Sequence, residues 1–231
     1  MRAIRTLLER LYERRLRDKL FEATRFHPSQ SHDAAVVAAR LLAQHETLAH
    51  LLLEFPAAHE RCPLSLTNGA GSNKDGLIPP TILYLLGFDV DTIGTVGHDP
   101  WPGNAPPDAE RHPPGSLRNW IGLRGMGSKK VKEILDSYGS HIIPYNINIM
   151  ATPNKEGEGE IDDILATIED LLPHMDRAEL NISCPNTSHD REAFQRSLDR
   201  KLNAIGKTDA RYKRWRLKLS PDATNKDYRE V

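Results

Sequence analysis

From Pro63 onward one unit recurs: a short apolar run stops at Gly, Asn or Pro, and a helical stretch follows. Leu64–Thr67 leads into Asn68-Gly69-Ala70-Gly71, and Thr92–Val96 leads into a proline-rich loop. Ile142–Ile149 leads into Ala151-Thr152-Pro153-Asn154, Ala178–Ser183 into Cys184-Pro185-Asn186, and Arg216–Leu219 into Ser220-Pro221-Asp222. Helical periodicity fills the intervals at Pro79–Leu86, Ser128–Tyr138, Ile161–Leu172 and Glu192–Ile205. Strands of four to eight residues alternating with helices favour a parallel sheet with helices packed against it, an α/β fold.

The N-terminal stretch has a different texture. Residues 1–25 carry eight basic and four acidic side chains, a local charge of +4. Ile4, Leu7, Leu8, Leu11, Leu20 and Phe21 recur largely at three- and four-residue steps, which suits an amphipathic helix. Pro28 and Ser29 are read as its end, and a second helical pattern runs from Ser31-His32-Asp33 through Val36, Val37, Leu41, Leu42, Leu48, Leu51 and Leu52 to Pro56. The expected organisation is a helical segment over residues 1–57 and an α/β domain over residues 60–231. By periodicity alone, the helical pair is either a cap docked on the domain or a basic hairpin lying on an anionic membrane.

Charge and composition exclude several other classes. The net charge over 231 residues is −1, so nothing pulls the whole chain toward nucleic acid. Hydrophobic residues at 39% supply a core. Two cysteines, Cys62 and Cys184, do not make a disulfide scaffold. No apolar run approaches the roughly 20 residues of a spanning helix, and no secretory signal pattern opens the chain, so a cytoplasmic location or a membrane face is expected. The ten histidines show no metal-ligand spacing, and no metal is expected.

Polar residues gather where the strands end: Lys74, Thr95, Asn148, Asn181, Cys184, Asn186 and Lys218. In a TIM barrel the C-terminal strand ends form the active face. A single asparagine there is ordinary turn chemistry. Five strand ends carrying amides, hydroxyls and lysines suit an anionic, hydrogen-bonding ligand.

These segments resemble the dihydroorotate dehydrogenases, FMN-dependent TIM-barrel enzymes of pyrimidine synthesis. Asn181-Ile182-Ser183-Cys184-Pro185-Asn186-Thr187 is similar to the family's active-site signature. Gly69–Gly76 resembles its flavin and substrate loop. Gly94-Thr95-Val96 with Pro100–Asn104 resembles the loop after its second strand. Asn119-Trp120-Ile121-Gly122-Leu123 resembles its substrate loop, and Leu217–Asp222 its strand-five lysine motif. The similarity spans about residues 60–222. Lys74-Asp75-Gly76, the Pro100–Asn104 loop and the N-terminal helices resemble the membrane-associated, quinone-reducing class, in which such a hairpin forms the membrane patch.

The resemblance implies roles. Cys184 would be the base that takes a proton from dihydroorotate. Lys74, Asn119, Trp120, Ile121, Gly122, Leu123, Asn181 and Asn186 would bind dihydroorotate or orotate. Ala70, Gly71, Ser72, Asn73, Lys74, Thr95, Asn148, Asn181 and Lys218 would bind FMN, and a quinone would accept the electrons. Asn146 and Asn148 compete for one flavin position, and Asn148 is preferred because Ile149-Met150 resembles the strand end of related dihydropyrimidine dehydrogenases. Two features depart from the quinone class, which carries Ser where this chain has Cys184, and Pro-Gly where it has Ser188-His189-Asp190.

Five units are readable, whereas a closed barrel of this type has eight units and about 250 residues. The expectation is a partial barrel, from a fragment or a decayed copy, without the glycine-rich segments that hold FMN phosphate. Two functions follow: an FMN-dependent dihydroorotate dehydrogenase or a related pyrimidine-reducing flavoprotein on one side, and a non-catalytic truncated homologue on the other.

Overall fold

A computed structural model describes residues 28–44, 65–112, 116–182, 191–209 and 215–219. The basic stretch over residues 1–25, the end of the second helical pattern, and Cys184 and Asn186 lie outside the described residues. In chain order the elements are α1 (Pro28–Gln44), α2 (Pro80–Leu85), β1 (Asp91–Val96), β2 (Ala109–His112), β3 (Ser116–Asn119), α3 (Ser128–Tyr138), β4 (Tyr145–Ile149), α4 (Glu158–Leu171), β5 (Arg177–Asn181), α5 (Arg191–Thr208) and β6 (Arg216–Lys218). A single 3-10 turn, Leu172–His174, follows α4.

Strands β1, β4, β5 and β6 pair side by side in that order, all parallel. Each pair is bridged through a helix, as the strand–helix alternation requires. In β4 the sequence Tyr-Asn-Ile-Asn-Ile assigns its two faces, because successive side chains point to opposite sides of a sheet. Ile147 and Ile149 join Ile93, Val96, Ala178 and Leu180 in one apolar layer. Helices cover that layer with Val131 and Leu135 of α3, Ile164, Ile168 and Leu171 of α4, and Leu198 and Ile205 of α5. On α3 the buried Val131, Ile134 and Leu135 follow the three- and four-residue helical step. Glu158 and Glu160 in the first turn of α4 complement the positive end of its dipole.

Three local features differ from the sequence reading. Of the expected first strand, Leu64–Thr67, the described residues form a parallel bridge from Thr67 to Val90, and the Leu66 carbonyl accepts from the Asp89 and Val90 N–H groups at 2.8 and 3.3 Å; a second bridge joins Asn73 and Ile93. Side-chain bonding replaces the ladder there: the Asn68 amide accepts from the Thr92 N–H at 2.6 Å and donates to the Thr92 carbonyl at 3.0 Å. Helix α1 starts at Pro28, where a break was read; proline's fixed φ and missing N–H are compatible with a first helical turn. The loop after β1 also holds an antiparallel hairpin, β2–β3, pairing Ala109 with Asn119 and His112 with Ser116.

The apolar layer sets a stability prediction. Ile147 is fully buried at its centre, so Ile147→Ala should lower unfolding stability by about 2–5 kcal/mol. Val37→Ala, on the exposed side of α1, should change it by less than about 0.5 kcal/mol. Urea denaturation midpoints of the two variants check the contrast, and equal midpoints would contradict this assignment of faces.

Candidate functional site

The side chains opposite the apolar layer are polar. Thr92 on β1, Asn146 and Asn148 on β4, and Glu179 and Asn181 on β5 share that face, joined by hydrogen bonds from Asn146 to Thr92 at 3.3 Å and from Asn148 to Glu179. Register continues the rows: Gly94, Asn148, Glu179 and Arg216 lie abreast, and Asn181 lies abreast of Lys218. The Asn181 amide donates to the Thr95 hydroxyl at 3.0 Å, spanning from the end of β5 to the end of β1.

The close approach of β1 and β4 depends on a glycine. Gly94 has φ +128, and a Cβ there would lie 2.3 Å from the Asn148 carbonyl oxygen. The loop before β1 reaches the same point, with Gly71 N–H donating to the Gly94 carbonyl at 2.6 Å. That loop is fastened from beneath. Asn73 donates to Asp91 at 2.8 Å, and its carbonyl accepts from the Ile78 N–H at 2.8 Å. Asn68 also donates to Asp91, at 3.3 Å. The side chain of Asn73 is therefore committed within the loop, and the exposed Ser72 donates to the Gly69 carbonyl at 2.7 Å.

Lys74 lies over the strand ends and donates to the Thr95 carbonyl at 3.2 Å. Burial lowers its pKa to about 8, with Asp75 opposing and Arg124 reinforcing the shift. Asp75 accepts from the Met126 N–H at 3.1 Å, and burial pushes its carboxyl above the usual range. A small cleft opens beside them, lined by Asp75, Thr95, Trp101, Leu123, Gly125 and Thr152.

Two clamps hold the cleft walls. The Trp101 and Gly125 backbones exchange hydrogen bonds of 2.9 Å, and the Trp101 indole donates to the Gly122 carbonyl at 3.0 Å. Arg124 donates to the Pro102 and Asn104 carbonyls at 3.1 and 3.3 Å and pairs with the buried Asp108. On the far side, Asp163 of α4 accepts from the His98 N–H at 3.1 Å, the Thr152 N–H at 2.9 Å and the Thr152 hydroxyl at 3.1 Å. One buried carboxylate thus ties the loop after β1 to the loop after β4.

Of the residues expected from sequence, the fold brings together Gly71, Lys74, Thr95, Asn148 and Asn181, with Leu123 on the cleft wall and Lys218 abreast of Asn181. Ala70 precedes Gly71 in the same loop. Asn119 and Trp120 are exposed at the foot of the hairpin, with Arg118 over the Trp120 ring at 5.9 Å. The carbonyls of Ile121 and Gly122 are engaged by Asn104 N–H and Trp101. Sequence reasoning gave no role to Glu179, Asp91, Arg124, Asp108 or Asp163. The available signals were an acid alternating with Ala178 and Leu180 in a strand, and Asp163 on the apolar stripe of a helix.

The polar face fits a flat, hydrogen-bonding ring. The side-chain oxygens of Asn146 and Asn148 are buried and have no partner among the described residues. Such an acceptor requires a donor. Among the described residues no group of three His, Cys, Asp or Glu could hold a metal, and no helix is long and apolar enough to cross a membrane.

Comparison with known proteins gives the family and the fold. The sequence model of one family, described as dihydroorotate dehydrogenase, matches residues 53–231. The dihydroorotate dehydrogenase (quinone) of Chloroflexus aurantiacus is 31% identical over 172 residues, covering 70% of this chain and 47% of that protein. Its counterpart from Acidithiobacillus ferrooxidans is 31% identical over 207 residues, covering 85% and 55%. The chain spans about half the length of the curated relatives it matches. The crystal structure of dihydroorotate dehydrogenase from Eimeria tenella in complex with ferulenol superposes with a TM-score of 0.66 at 20% identity, over 88% of this chain and 62% of that one. At that identity the likeness speaks for the fold.

The Asp91 cluster gives a pH prediction. Burial raises the Asp91 pKa from 3.8 to about 7, against the lowering effect of its two asparagine donors. The folded state then holds a proton that the unfolded state has released. This contribution to stability is fully present below pH 3.8 and is lost as pH rises through about 7. Denaturation midpoints of the wild type and Asp91→Asn between pH 4 and pH 8 should diverge in slope, with the variant flatter. Parallel curves would contradict the assignment.

Proposed function

Because the chain belongs to the dihydroorotate dehydrogenase family, we propose that its polar strand-end face oxidises dihydroorotate to orotate, with electrons passing through FMN to a quinone. The observation that carries this reading is the convergence of Lys74, Thr95, Asn148 and Asn181 from four separate segments onto one face, with a buried amide oxygen left to accept. When bound, FMN supplies the two-electron acceptor for a hydride from C6 of the substrate.

Cys184 takes the proton from C5. A free thiol has a pKa of about 8.5 and is mostly neutral at about pH 7, whereas only the thiolate accepts a proton, so the site must favour the thiolate. Ser183 precedes it and Pro185-Asn186 follow it in sequence. The Lys74 ammonium pairs with the substrate carboxylate, and Asn119, Asn181 and Asn186 hydrogen-bond its amides. Trp120, Ile121, Gly122 and Leu123 contact the substrate. Ala70, Gly71 and Ser72 bring backbone to the flavin, and Asn73 holds that loop in place. Thr95, Asn148 and Asn181 would hold the flavin by hydrogen bonds, and Lys218 would supply positive charge to stabilise its reduced form.

We assign residues 60–231 to a TIM-barrel domain, of which about five units are present, and residues 1–57 to a helical segment that attaches the protein peripherally to a membrane surface facing the cytoplasm. The local charge of +4 over residues 1–25 together with its apolar stripe supports attachment to anionic lipid.

Two outcomes are expected of the protein expressed from its complete reading frame. Cys184→Ala should lower turnover at saturating dihydroorotate by ~10²–10⁴-fold while leaving FMN content unchanged; wild-type turnover would remove Cys184 from the chemistry. Orotate affinity should fall as pH rises past about 8, where Lys74 loses its proton. Lys74→Ala should bind orotate weakly with no such inflection. The wild-type and Lys74→Ala affinities are read from orotate titrations over pH 6–10, and an unaltered inflection in the variant would assign it to another group.

A further inference from the structure

Asn146 and Asn148 sit on the same face of β4, both buried, both with an unpartnered side-chain oxygen among the described residues. Their surroundings differ in one respect. The Asn146 amide meets the Thr92 hydroxyl at 3.3 Å, a group that donates or accepts, so either end of that amide is acceptable there. The Asn148 amide meets a Glu179 carboxylate oxygen. An ionised carboxylate only accepts, so only the NH₂ end of Asn148 can face it. Turning the Asn148 side chain over would oppose two oxygens in a site where Asn148 is 0% exposed. Glu179 reaches this position because it is the register partner of Asn148 in the parallel pair β4–β5.

We propose that Glu179 is a positioning residue: it locks the Asn148 amide so that its carbonyl oxygen, and never its NH₂, meets the ligand, and thereby selects a ring that presents an N–H flanked by carbonyls. The inference rests on the functional reading above and deepens it. A cyclic imide N–H is carried both by the flavin ring and by the pyrimidine ring of orotate, so the shared chemistry is an imide donor. A site built to accept from such a group discriminates against the analogue lacking it, because the buried acceptor is then left unpaired.

The test uses the protein from its complete reading frame, stripped of flavin, with four probes: FMN, its N3-methyl analogue, orotate and N3-methyl-orotate. In the wild type one pair should show a preference of about tenfold or more for the unmethylated member, which identifies the ring that Asn148 reads. Glu179→Ala should weaken that ligand about tenfold and reduce the preference to about twofold or less. Glu179→Gln, which can turn to offer either an oxygen or an NH₂, should reduce the preference with a smaller loss of affinity. Exchanging the two groups, Asn148→Asp with Glu179→Gln, again pairs one donor with a carboxylate oxygen and leaves the second oxygen to accept, so it should recover the preference that Asn148→Asp alone loses. A purely structural contact would change affinity for both members of a pair equally. Unchanged preference in Glu179→Ala, or no recovery in the exchanged pair when circular dichroism shows both folded, overturns the positioning role while the function stands. Failure of the folded wild type to bind either FMN or orotate overturns the functional reading and this inference with it.

Discussion

Everything in the molecule depends on the two-sidedness of one parallel sheet. Ile147 and Asn148 are adjacent in β4, yet the first lies in the helix-covered apolar layer and the second on the polar face. The cost of burying an amide is met because the neighbouring strand answers it: Glu179 accepts from Asn148, and Asn181 reaches across to Thr95. A shift of one residue in pairing would put Asn146 and Asn148 among the isoleucines, so the apolar layer and the site enforce the same register.

The loops at the strand ends are rigid for reasons that can be named. Asp91 lies at the start of β1, where it receives both Asn68 and Asn73 and so holds the loop that carries Gly71 and Lys74. Asp163, inside α4, does the same for the loops after β1 and β4. Arg124, paired with the buried Asp108, ties the segment that carries Leu123 and Gly125 to the loop of Pro102 and Asn104. These buried carboxylates accept from backbone, amide and guanidinium donors and so tie the loops beside the cleft to one another.

Much of this was legible from local pattern. Ser128–Tyr138 reads as a helix and is one over the same residues, and the strands expected at Thr92–Val96, Ala178–Ser183 and Arg216–Leu219 are present with slightly different ends. Polar residues after apolar runs marked Lys74, Thr95, Asn148 and Asn181 as a group, which the fold brings together. What stayed hidden depends on pairing across distance. Glu179 meets Asn148 from 31 residues away, and alternation shows that it shares a face with Asn181 without showing what lies opposite. Leu64–Thr67 carries a strand's composition, but Asn68 takes over the backbone bonding, which no propensity reveals. The hairpin β2–β3 flanks Pro113-Pro114-Gly115, a turn signal overshadowed by the proline-rich loop around it.

The central claim is that this polar face belongs to a flavin-dependent dehydrogenase of dihydroorotate. Anaerobic mixing of the purified, flavin-loaded protein with dihydroorotate tests it most directly, followed by visible absorbance. The account predicts that the yellow flavin bleaches in proportion to orotate formed, and that colour returns when a quinone is added. A protein that holds flavin but keeps its colour in the presence of excess dihydroorotate would contradict it.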